Sequence, residues 1–253
     1  VMEHFVDKDS IVREIWGKSD TILMVFAGAS AEFALNKAVD WLYFTGKLPK
    51  DPLGRLFSTV NYARAIVFSE KDAAIKAIET INVIHGSVEN SRGKKIPEWA
   101  YKDVLYMLID YSIRSYELLQ RPLTISEKQE VLNVFNKVGR RMKLESLPLT
   151  YSDFLIARKT HLSKNLNNSK LTKDLYRQYR KHLGFFRYSL LLESQVLLLP
   201  NSVRQMLNLR KTSLLTPMVS VYKLFRSIKL DWMIKEVLLP SEYKQDIKQM
   251  NIT

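Results

Sequence analysis

Apolar positions in this chain recur at helical spacing almost from end to end, and no segment alternates as a half-buried strand would. Caps, glycines and prolines divide the pattern into elements. Ser10 or Asp9 caps a short first helix that runs through Trp16 and ends at Gly17. A long apolar helix is predicted from about Thr21 to Phe44, stopped by Gly46 and Pro49. Asp51, with Pro52 at the first helical position, opens the next helix, which carries Arg55, Thr59, Tyr62, Ala63 and Ile66 down one side. Ser69 followed by Asp72 reads as a capping-box variant opening a helix that bears His85, broken by Gly86 and the polar stretch Glu89–Lys95. Pro97 starts a helix that reaches about Leu119, and Pro122 prevents its continuation. Thr124 with Glu127 caps another through about Lys143, and Thr150 with Asp153 caps one near Tyr151–Leu162. Ser163–Lys170 is the clearest loop. A long basic helix is predicted from about Thr172 to Leu199, ended by Pro200, and shorter helices lie around Ser202–Leu209, Leu214–Ile228 and Asp231–Leu239. There is no internal repeat and no long linker. The expected architecture is a single all-α domain over residues 1–253, an orthogonal bundle of roughly nine to eleven helices.

Composition fits that pattern. With 46% hydrophobic residues and only 8 Gly and 8 Pro in 253 residues, the chain reads as a soluble globular protein built of long helices. Cysteine is absent, which excludes disulfides, iron–sulfur clusters, thiolate haem ligation and Cys-type zinc sites, and agrees with a cytoplasmic location. The net charge of +13 has two readings. One is attraction to nucleic acid or an anionic membrane. The other is a solvated lysine-rich surface, favoured because no nucleic-acid motif accompanies the charge, which is densest near Arg140–Lys143 and Lys170–Lys181. The N-terminal residues lack the basic-then-apolar pattern of a cleavable signal. The apolar run Thr21–Phe44 carries Glu32, Lys37 and Asp40, which points to a core helix rather than a lipid-spanning one.

The candidate chemistry is sparse. No two of His4, His85, His161 and His182 have the spacing of a helical metal site, and no Glu-x-x-His occurs. His4 reads as a frayed terminal residue, His161 lies beside the polar loop, and His182 sits in a solvated basic setting with Arg180, Lys181 and Arg187. Arg55, Thr59 and His85 remain. Each has an ordinary explanation alone: a surface ion pair, a polar helix residue, a hydrogen-bonded core histidine. Together they admit a sharper one. A single imidazole can fill one axial position of a haem iron, and a guanidinium and hydroxyl one helical turn apart could hold a propionate or groups on the open face. An internal carboxylate such as Glu79 or Asp110 is the competing partner for Arg55.

A family resemblance bears on that choice. Asp51-Pro52-Leu53-Gly54-Arg55-Leu56 follows an apolar helix, Thr59 comes four residues after the arginine, and a later helix carries Asn82-Val83-Ile84-His85. This succession resembles the DUF2236 group, which contains the mpaB-type membrane-bound oxygenases and the latex-clearing proteins (rubber oxygenases). Trp99–Leu119 is similar to the family's next helix, and Leu197–Leu209 to its C-terminal Leu-Pro…Arg element. The resemblance implies an all-α fold holding haem b, with His85 as iron ligand and Arg55 and Thr59 as catalytic residues beside the cofactor. It also implies O2-dependent oxidation or cleavage of an apolar small molecule or polyisoprenoid. Three departures stand out. Val39–Phe44 holds no histidine where many relatives have one. The glycine after the ligand helix is present only as Gly86 or Gly93. Ser58 replaces the lysine that latex-clearing proteins carry beside the threonine.

Phe26, Phe33, Trp41, Phe57, Met107 and Ile113 are available to line a pocket, though most would pack as core in any helical protein. Two other classes of function remain open: a non-enzymatic protein whose basic face, including Arg177, Arg180, Lys181 and Arg187, meets an anionic membrane or nucleic acid, and a relative that keeps the fold without the cofactor. Peripheral membrane contact is compatible with the enzyme reading too.

Overall fold

The computed structural model describes residues 3–46 and 50–227. Eleven helices run through these residues: α1 (Ile11–Trp16), α2 (Ser19–Leu35), α3 (Val39–Phe44), α4 (Pro52–Phe68), α5 (Lys71–Arg92), α6 (Glu98–Leu119), α7 (Ile125–Arg141), α8 (Tyr151–Lys164), α9 (Lys170–Leu198), α10 (Asn201–Met206) and α11 (Thr216–Ser227). No strand occurs among the described residues, only isolated bridges between His4 and Glu70 and between Asn36 and Leu166. The fold is all-α, as the periodicity predicts. The predicted helix Asp231–Leu239 and the stop at Pro49 lie outside the described residues.

At the centre stands α2. It is buried on nearly all sides, because helices without a polar face must be surrounded. Its principal neighbours are α6 and α9. Gly28 allows the closest approach: a Cβ there would collide with the Tyr111 ring on α6. Around this axis α4 packs on α5, α6 on α7, α7 on α1 and α8. Trp16 is fully buried and its indole N–H donates to Ser112 Oγ at 3.1 Å, so burying the ring strands no donor. A smaller cluster of Ala34, Val39, Leu175 and Tyr179 joins the end of α2 and α3 to the first half of α9.

Local capping signals hold where they are self-contained. Ser10 accepts from the Val12 N–H, Asp51 from Gly54, and Thr150 from Asp153, while Thr124 and Glu127 form a reciprocal capping box. Other boundaries need correction. The predicted Thr21–Phe44 helix breaks after Leu35. Asn36 is extended, its side-chain oxygen accepts from the Ala38 N–H to start α3, and its amide donates to Asp103 at 2.8 Å. The 165–167 segment takes up the adjoining backbone, through Lys37 N–H to Asn165 O and Asn167 N–H to Leu35 O. A distant loop thus outweighs the helical periodicity.

The helix bearing His85 does not stop at Gly86. It continues to Arg92 and ends at Gly93, which adopts φ 67°. A glycine inside a helix costs only about 1 kcal/mol, whereas a left-handed C-cap favours glycine strongly. The proposed Ser69 cap is also absent: Ser69 closes α4, and Glu70 precedes α5 without a side-chain cap. The loop after α8 is shorter than Ser163–Lys170, because α8 reaches Lys164 and Ser169 with Thr172 caps α9. The long basic helix bends at Gly184, where φ is 70° and ψ 176°.

Candidate active site

Arg55, Thr59 and His85 line one cavity of about 710 Å³. This lies within the range of about 300–1,000 Å³ common for small-molecule and cofactor sites. Its lining comes from α2 through α7, together with Lys50 and Asp51 just before α4. The lining is largely apolar, with Ile66, Ile81, Val104, Met107, Leu108 and Phe135 among the wall residues. Of the aromatic and aliphatic candidates named from sequence, Phe33, Trp41 and Met107 line it. Phe26 and Phe57 instead pack on each other, with ring centroids 5.7 Å apart, and Ile113 belongs to the core.

Asp51 and Pro52 start α4 and thereby fix the register that turns Arg55 and Thr59 to the same side. The Arg55 Nη1 donates to Thr59 Oγ1 at 3.3 Å, and the threonine hydroxyl donates to the Arg55 carbonyl oxygen at 3.2 Å. Among the described residues no carboxylate pairs with Arg55. Glu79 is exposed, and Asp110 is held by Arg114 and Arg158. Burial pushes the guanidinium down from its usual value, with Tyr62 pulling the other way. It nevertheless stays charged, because an arginine does not deprotonate in a protein. The result is a half-buried cation at an apolar cavity with no carboxylate paired to it among the described residues, an arrangement that favours an anionic ligand group.

His85 stands opposite on α5. Its Nδ1 is buried and makes no hydrogen bond. The ring packs against Tyr101, with centroids 5.0 Å apart, and the Tyr101 hydroxyl donates to Glu89 at 3.1 Å. Burial first, and the Arg55 charge second, hold the imidazole below its ordinary value of 6.5, while Glu89 opposes them. The neutral ring, with an open lone pair, is therefore the resting form at neutral pH.

Past Gly86, α5 continues toward α3. It brings Arg92 over Trp41, 4.0 Å from the ring centroid, where Arg92 also pairs with Asp40 at 2.5 Å. Ser58 lines the cavity and offers only a small hydroxyl.

The His85 titration has a consequence for stability. Its folded-state value lies below its unfolded one, so the unfolded chain binds the proton first as pH falls. Stability from the neutral imidazole is full above about pH 6.5 and declines as pH drops through the folded value. Urea unfolding at a series of pH values should show this acid loss, with His85→Phe flattening that part of the profile. An unchanged slope in the variant would contradict the assignment.

The other histidines play different parts. The His161 ring hydrogen-bonds Asp103 and lies edge-on to Tyr106, tying α8 to α6. His4 is not frayed: it bridges to Glu70, and its Nδ1 is buried. His182 is exposed on α9. Among the described residues no group of three or more His, Asp or Glu side chains could hold a bare metal ion.

Over residues 16–228 the chain matches the family model described as ER-bound oxygenase mpaB/B'/rubber oxygenase, catalytic domain. The chain belongs to this mpaB/rubber oxygenase family. The matched stretch contains Arg55, Thr59, His85 and every helix that lines the cavity. No curated protein and no solved structure matches the chain. Among the described residues no helix of this mpaB/rubber oxygenase domain is long and apolar enough to cross a membrane.

Sequence reasoning missed Tyr101, sixteen positions from His85 and on another helix, so no local spacing links the two. It also missed the pairing of Glu32 with Arg158. The signal for that pairing was present, since a carboxylate inside an apolar helix requires a cationic partner.

Proposed function

We propose that this chain is a haem b-dependent oxygenase for an apolar, isoprenoid-like substrate, with His85 as the iron's protein ligand and Arg55 and Thr59 at the cofactor's polar edge. One observation carries the proposal: a buried, unpartnered imidazole nitrogen shares a large, mostly apolar cavity with a half-buried guanidinium that no carboxylate pairs with among the described residues. Either group alone would be a cost to the fold, and a haem would relieve both. His85 would hold the iron, and Arg55 would pair with a propionate.

Bound haem supplies the redox chemistry that dioxygen insertion requires. The residues supply the setting. Burial and the Arg55 charge disfavour protonation of His85, which keeps its imidazole in the neutral form that an iron ligand would need. Tyr101 braces the ring from one side, and Glu89 fixes Tyr101 by accepting from its hydroxyl and from the Ile96 N–H. Thr59 accepts from Arg55 and restrains its fork for a carboxylate. Apolar walls exclude water and accommodate a hydrocarbon chain. Ser58 would present only a small hydroxyl to a group held in the cavity.

Haemin-loaded protein incubated with oxygen and a linear isoprenoid such as squalene is the direct test. Oxygen uptake with carbonyl-ended fragments is expected, and both should vanish in His85→Ala. Protein that carries haem yet leaves the hydrocarbon and the oxygen untouched would contradict the reaction assigned.

A further inference from the structure

Helix α9 is the longest described helix, and its bend at Gly184 presents two aromatic rings to water. The backbone there, with φ 70° and ψ 176°, is one that glycine adopts freely and other residues resist. Directly after the bend come Phe185 and Phe186, 77% and 58% exposed. The half of α9 before the bend is two-faced. Thr172, Leu175 and Tyr179 are buried, with Leu175 and Tyr179 packed in the cluster with Ala34 and Val39. Lys173, Arg177, Arg180 and Lys181 share the opposite side at helical spacing, and all four are exposed. From Lys170 to Arg187 the sequence holds six lysines and arginines against a single carboxylate, Asp174, which Tyr43 and Arg177 already engage.

We propose that this Phe185–Phe186 tip and its basic face seat the protein on an anionic lipid surface. The rings would enter the boundary between headgroups and acyl chains while the cations meet anionic headgroups, the division of labour of interfacial helices. Neighbouring residues of a helix project about 100° apart. Two rings so arranged suit separate wedges in an acyl layer better than a continuous platform for stacked bases. The inference is independent of cofactor binding, because α9 does not supply His85, Arg55 or Thr59. It would also place a protein with an apolar cavity at the phase where hydrocarbon substrates dissolve.

The test is vesicle flotation of the full chain with phosphatidylcholine alone and with phosphatidylcholine containing phosphatidylserine. Binding to the anionic vesicles is expected, weakening as salt rises. The double variants Phe185→Ser/Phe186→Ser and Arg180→Ala/Lys181→Ala should each lower partitioning at least roughly tenfold. All four side chains lie outside the core, so the melting transitions should match the wild type. The chain lacks cysteine, so Phe186→Cys accepts a single polarity-sensitive dye, whose emission should shift to the blue on anionic vesicles. Wild-type protein that does not float with anionic vesicles would overturn the proposal. So would undiminished binding without the two phenylalanines, or a dye shift on a single-stranded oligonucleotide but not on vesicles.

Discussion

Replacing Arg158 with alanine is expected to cost about 3–5 kcal/mol of folding free energy, the usual penalty for stranding a buried charge. The Arg158 side chain is 5% exposed, and it donates to Glu32 Oε1 at 2.6 Å and to Asp110 Oδ2 at 3.1 Å. Tyr111 donates to the other Glu32 oxygen at 2.6 Å, and Arg114 donates to Asp110 at 2.8 Å. Burial works against the Arg158 charge, but Glu32 and then Asp110 outweigh it and hold the guanidinium well above its usual value. Removing Arg158 leaves the Glu32 carboxylate inside α2 without a cation. Urea unfolding followed by circular dichroism should show the loss directly. A change below about 1 kcal/mol would mean that this network does not pin α2, α6 and α8 together as described.

The second large effect separates function from stability. His85→Phe should abolish haem binding and yet leave the cofactor-free protein as stable as the wild type, or more stable by about 1 kcal/mol. A buried polar atom without a partner costs about 1–3 kcal/mol, and phenylalanine removes that cost while filling part of the cavity. A histidine kept for structure alone would behave in the opposite way. Haem absorbance and thermal unfolding, measured side by side, distinguish the two. A clear fall in stability of the haem-free variant would argue against His85 as a ligand held in readiness.

These two sites also show what a sequence can and cannot reveal here. Caps at Ser10, Asp51, Thr124 and Thr150 were legible because each signal and its target lie within three residues. The break at Asn36 was not, since it is decided by backbone partners at 165–167. The end of α5 was misplaced because Gly86 and Gly93 look alike in sequence, and only the left-handed turn at Gly93 ends the helix. Gly184 was overlooked for a related reason, as apolar periodicity continues through it. Within the site, one-turn spacing puts Arg55 and Thr59 on one helix face, but what singles them out with His85 in the sequence is the family resemblance, and the fold brings all three to one cavity. Tyr101 depends on a contact across the bundle that no local pattern encodes, whereas Glu32 inside an apolar helix signals that a cation must meet it without saying that the cation is Arg158.

The measurement closest to the central claim is a haemin titration of the purified, folded chain, followed by absorption spectroscopy and repeated with His85→Ala. Saturable one-to-one uptake with the Soret band of an imidazole-ligated haem is expected in the wild type, and loss of that band in the variant. A folded wild-type chain that takes up no haem, or a variant whose spectrum is indistinguishable from the wild type, would contradict it.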